Sequence, residues 1–76
     1  MTSLFEILAT TLKITREQFR NDTGPEDVGS WDSLAHLSLV AALEEAYDLE
    51  FDMDEISKMK TIGDIKQILV KYGVSV

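Results

Sequence analysis

A chain of 76 residues with no cysteine can be stapled neither by disulfides nor by a thiolate zinc site, so its stability has to come from packed apolar side chains. A chain this short also buries a limited fraction of its surface, which disfavours an enclosed active-site cavity of its own. The expectation is one domain over residues 1–76 that is handled by other proteins rather than an enzyme. From Met1 to Lys13 polar and apolar residues alternate, with no apolar run behind a positive charge, which argues against a signal peptide. No stretch approaches membrane-spanning length. By elimination the expectation is a cytoplasmic monomer with no membrane partner, and Met1 with the compact length suggests a free-standing protein.

Fourteen acidic residues against seven basic ones give a net charge of −7, which disfavours nucleic acid and anionic membrane as partners. The distribution is more telling than the total. Between Arg20 and Lys58 there is no lysine or arginine, while Asp22, Glu26, Asp27, Asp32, Glu44, Glu45, Asp48, Glu50, Asp52, Asp54 and Glu55 all fall there. Any one of these could simply keep a small domain soluble. As a block they repel one another at a cost in stability, and a surface that steers basic partners from long range accounts for the grouping.

The order of elements is legible from caps and periodicity. Ser3 and Glu6 stand at capping-box spacing before Leu4, Ile7, Leu8 and Leu12, which predicts a helix over Leu4 to Lys13. Thr15 and Gln18 cap a further turn ending near Phe19. Asn21, Asp22, Thr23, Gly24 and Pro25 then open a loop running to about Trp31, with Val28 and Trp31 the apolar residues available to tie it down. Asp32 is a good N-cap for a helix over Ser33 to Asp48, whose Leu39, Leu43 and Tyr47 repeat on one face as core. Leu34, Leu37, Val40 and Ala41 do not lie wholly on that stripe, which leaves apolar surface for something other than the core. Asp52 and Glu55 cap a short turn near Asp54 to Met59. Thr61 and Asp64 cap a last helix, Ile62 to Tyr72, with Ile62, Ile65, Ile68, Leu69 and Tyr72 as its buried stripe and Gly73 just past its end. No alternating run reads as a strand. The fold class is all-α, a bundle of three main helices and one short one.

Ser33 follows the N-cap of the clearest helix, where backbone N–H groups point outward without intrahelical partners. The field of a helix N-terminus favours an anion, so a phosphate attached to Ser33 would be stabilised despite the acidic surroundings. A first-turn serine chosen only for capping is the plainer alternative.

The run Asp32-Ser33-Leu34, followed by Leu37, Leu39, Val40, Leu43, Glu44, Glu45 and Tyr47, resembles the D-S-L segment and second helix of acyl carrier proteins. The A-L-E-E pattern at Ala42 to Glu45 and the T-I-x-D-I pattern at Thr61 to Ile65 extend the resemblance over nearly the whole chain. It implies an acyl-carrier-like bundle in which Ser33 carries 4′-phosphopantetheine, transferred from coenzyme A by a phosphopantetheinyl transferase. It also implies an acyl thioester held on the arm, for fatty-acid, polyketide or another dedicated biosynthesis. Asp32 would cap the helix and complete the transferase motif. Leu34, Val40 and Ala41 would be the apolar docking contacts, and Glu44 and Glu45 the charged ones. The partners would be an acyl-loading ligase or transferase and downstream synthase enzymes with basic docking patches.

Ser30 and Trp31 stand before D-S-L where the fatty-acid type usually has small residues, and Ala35, His36 and Ser38 fill a turn that is often acidic. These departures favour a dedicated pathway. Gly29-Ser30-Trp31 also differs from the paired glycines of peptidyl carriers. A catalytic Ser33 would need a base such as His36 fixed by a third group, an oxyanion site and a pocket; a single histidine on a helix face reads as surface. Asp48, Glu50, Asp52 and Asp54 alternate like the start of a calcium loop, but Met53 and Met59 occupy the positions that need glycine and glutamate. The remaining alternative is an unmodified acidic helical interaction module.

Overall fold

The computed structural model describes residues 3–75. Its helices are α1 (Leu4–Leu12), α2 (Ser33–Tyr47), α3 (Met53–Ser57) and α4 (Ile62–Lys71), with a 3-10 turn at Arg16–Gln18 between α1 and α2. There is no strand among the described residues, so the all-α bundle expected from the sequence is the fold found.

The starts of the helices are set by local side-chain bonds. Thr15 with Gln18, Asp52 with Glu55 and Thr61 with Asp64 each form a reciprocal capping box. Ser3 accepts from the Glu6 amide at 3.2 Å, while the Glu6 carboxylate takes the serine hydroxyl itself. Asp52 caps α3 as its spacing to Glu55 predicts, and the helix runs over Met53–Ser57, starting one residue before and ending two residues short of the expected Asp54 to Met59. Helix ends are marked by left-handed residues: Lys13 at φ 60° after α1, Asp48 at φ 52° after α2, and Gly73 at φ 86°. At Gly73 the amides of Gly73 and Val74 close on the carbonyls of Val70 and Leu69, the paired bonds of a Schellman ending.

Leu8, Leu12, Leu39, Leu43, Ile62, Ile65 and Leu69 are fully buried and form the centre of the core. Tyr72, expected on the buried stripe of α4, instead sits at its C-cap and is exposed, because the helix ends one residue too soon to carry it inward. Its ring meets Phe51 edge-on at 5.6 Å.

The loop between α1 and α2 is fastened at both ends. Thr23 and Asn21 carbonyls accept from the amides of Ile62 and Gly63, each at 2.9 Å, satisfying two donors that the first turn of α4 leaves open. This brings Gly24 so near the Lys60 carbonyl that a β-carbon would stand 2.7 Å from it. Val28 and Trp31 are buried, as their role in tying the loop requires. The loop therefore arrives at α2 along a fixed path.

Candidate functional site

Ser33 is the first residue of α2 and is exposed. Asp32 precedes it in extended geometry, its carboxylate accepting from the Ala35 amide at 2.9 Å and its carbonyl from the His36 amide at 2.8 Å. The Asp32 side chain is thus used as a cap, and the N–H groups of Ser33 and Leu34 have no carbonyl one turn back within the helix to bond. Behind Ser33, the Ser30 hydroxyl donates to the Leu12 carbonyl at the end of α1, and the Trp31 amide bonds Val28 at 2.9 Å. The result is a reachable hydroxyl on a fixed turn, in the positive end of a helix dipole.

His36, read from the sequence as a surface residue, is half-buried and bonded at both ring nitrogens. The Trp31 indole N–H meets Nδ1 at 3.0 Å, and Nε2 lies 3.1 Å from the Ile56 carbonyl. The two rings are nearly parallel, with an interplanar angle of 18°, consistent with a bond between in-plane nitrogens. With Asp32 on the Ala35 amide and His36 held by Trp31 and Ile56, neither group is placed to take a proton from Ser33. No Asp-Ser-His catalytic arrangement is assembled.

The exposed side of α2 differs from expectation at Val40 and, in part, at Glu44. Leu34 is 77% exposed, and Ala41 and Glu45 are open to solvent. Val40, however, is only 5% exposed and belongs to the core, so it cannot offer a docking contact. The buried arc of α2 is wide enough to include Val40 beside Leu39 and Leu43. Leu37, 60% exposed, stands where Val40 was expected, three residues after Leu34 and four before Ala41. Glu44 is partly withdrawn as well: its Oε2 accepts from the Phe51 amide at 2.9 Å, which fixes the chain leaving α2. Tyr47 is half-buried, and burial raises its phenol above the ordinary value.

Met53, at the start of α3, is the most exposed large apolar side chain among the described residues at 80%, and periodicity alone gave no reason to single it out. It borders an open groove of about 930 Å³ that runs past Ser33 between the loop, α2 and α3. Trp31, Leu37, Ile56 and Met59 supply apolar lining, with Asp22, Glu26, Asp27 and Asp32 along one side and Lys60 on the other chain segment. Among the described residues, no three His, Asp or Glu side chains gather as a metal site, and no helix is long and apolar enough to cross a membrane.

Known proteins resemble this chain over most of its length. A family model described as a phosphopantetheine attachment site matches residues 2–69. Curated relatives that carry the name acyl carrier protein match as well. That of Wolinella succinogenes is 34% identical over 79% of this chain and 79% of its own length. That of Syntrophobacter fumaroxidans is 32% identical over 90% of this chain and 84% of its own. The match to the Bdellovibrio bacteriovorus protein is 42% identical but spans 63% of this chain and only 60% of the relative.

Proposed function

Because the chain belongs to the acyl carrier protein family, whose members are carriers of a covalent 4′-phosphopantetheine rather than enzymes, we propose that Ser33 receives that group and presents an acyl thioester to partner enzymes. The observation that carries this reading is the position of Ser33: exposed, on the first turn of α2, with its aspartate neighbour occupied as the cap. A phosphodiester there fits the site, since the anion would face the free N–H groups of the turn and the groove beside it has room for an extended chain.

In the loading step the Ser33 oxygen bonds to the pantetheine-side phosphorus of coenzyme A and the phosphoanhydride bond breaks. Adenosine 3′,5′-bisphosphate leaves, and the serine proton passes to a base of the transferase. The bound group supplies a terminal thiol whose thioester is activated for acyl transfer. This chain contributes the rest: Asp32 holds the turn, and Leu34, Leu37 and Ala41 present apolar surface. Glu45, with the outer oxygen of Glu44, supplies charge for a basic partner. The absence of acidic side chains at Ala35, His36 and Ser38 leaves the docking charge further from Ser33, which supports a dedicated biosynthetic pathway.

The test is the intact mass of the protein and of Ser33→Ala after incubation with coenzyme A, magnesium and a broad-specificity phosphopantetheinyl transferase. One phosphopantetheine gained by the native chain alone is the expected result. No gain by the folded protein, with a known carrier modified in parallel, would favour the unmodified interaction module.

A further inference from the structure

His36 has no part in the chemistry assigned to Ser33, yet both of its ring nitrogens are engaged. The Trp31 indole nitrogen can only donate, and the Ile56 carbonyl can only accept. One arrangement satisfies both: Nδ1 bare and Nε2 protonated, a neutral ring in a single tautomer. In the other tautomer two N–H groups would oppose each other at Trp31, and two lone pairs at Ile56.

These bonds join three separate pieces of chain. Trp31 ends the long loop, His36 follows the first three residues of α2, and Ile56 lies in the last turn of α3, where its carbonyl also accepts from the Met59 amide at 3.3 Å. With only five residues, α3 is too short to persist on helix propensity alone. It is held on one side by His36 and on the other by Glu55, which is bonded to Lys71 and Tyr72 at the end of α4. Met53, Ile56 and Ser57 of α3 face His36 and Ser33 across the groove.

We propose that His36 is a positioning residue which, in its Nε2–H tautomer, clamps α3 to Trp31 and α2 and thereby sets the groove wall beside Ser33. The clamp stands independently of what Ser33 carries; its effect on loading rests on the reading of Ser33 as the attachment residue.

Two substitutions separate the two bonds. The Oδ1 of His36→Asn falls near the place of Nδ1 and can still accept from Trp31, but the shorter side chain cannot reach Ile56. The Nε2 of His36→Gln falls near the ring Nε2 and can still donate to Ile56. In the native protein, nitrogen chemical shifts of His36 are expected to show the Nε2–H tautomer. Exchange of α3 amides should quicken about fivefold in His36→Asn, the fold-change for a lost bond of about 1 kcal/mol. It should stay near native in His36→Gln, where the Trp31 indole N–H resonance shifts instead. The transferase KM for His36→Asn should rise with kcat unchanged. An Nδ1–H tautomer, or α3 exchange equal in all three proteins, overturns the clamp. If Ser33 proves unmodified, the exchange and tautomer results still decide the clamp on their own.

Discussion

The Tyr72 hydroxyl at the end of α4 donates to Oε1 of Glu55 in α3, while the Lys71 ammonium holds Oε2 at 3.1 Å. That tyrosine bond is the largest influence on Glu55 and keeps its carboxyl below the ordinary 4.5, with burial opposing and the Asp52 amide and Lys71 assisting. The same bond, with burial and the Glu55 charge behind it, pushes the Tyr72 phenol from 10.0 up to about 12.

The pair makes stability depend on pH at both extremes. A depressed Glu55 contributes above pH 4.5 and loses that contribution as pH falls through its folded value. A raised Tyr72 contributes below pH 10.0 and loses it as pH climbs through about 12. Tyr72→Phe should therefore lower Tm at neutral pH, and the deficit should shrink toward acid. A deficit that stayed constant from pH 7 to strong acid would show that the hydrogen bond is not its source.

Val40 and Leu37, three residues apart on α2, should behave oppositely. Val40→Ala removes buried apolar volume and is expected to cost about 2 kcal/mol. Leu37→Ala, exposed, should stay within about 0.5 kcal/mol and weaken partner binding instead. Denaturant titration of the two variants, beside a pull-down or kinetic assay with a transferase, checks both halves.

Charge reversal separates Glu44 from Glu45. Glu45→Lys is expected to slow association with a basic partner at low salt and to leave stability unchanged. Glu44→Lys should show the same loss plus a drop in stability of about 1 kcal/mol, because the Phe51 amide loses its acceptor. Equal stability of the two variants would contradict the role given to Glu44.

Glycine substitutions test how the loop is fastened. A β-carbon at Gly24 would stand 2.7 Å from the Lys60 carbonyl and one at Gly63 would stand 2.9 Å from that of Asn21, both backbone atoms. Gly24→Ala and Gly63→Ala should each cost about 1–3 kcal/mol. Gly29→Ala meets nothing within 4 Å and is expected to stabilise by about 0.5 kcal/mol through the unfolded chain. Thermal melts of the three variants give the ranking directly.

The helix starts were legible in the sequence because a capping box is local: Thr61 with Asp64 and Asp52 with Glu55 need no partner beyond their own turn. The line Leu39, Leu43, Tyr47 was legible too, but a line of fourth residues follows only part of a broad buried arc. His36 precedes Leu39, Val40 and Leu43 by three, four and seven residues, the spacing of a shared face, and that pattern would have moved both His36 and Val40 inward. The Trp31 bond to His36, the Glu55 cluster and the approach of Gly24 to Lys60 were not legible. The last two depend on how elements far apart in the chain are placed against one another, and the first on the path by which the loop enters α2.

Ser33 is joined to the helix ladder behind it and approached through a loop fastened to α1 and α4. On the reading that Ser33 bears the arm, the anchor adds almost no reach of its own. The volume swept by a tethered acyl group, and so its effective concentration at a docked enzyme, is then governed by the length of the arm and the orientation of docking. A partner that docks on α2 with its active site outside that volume would bind the carrier and never meet the cargo.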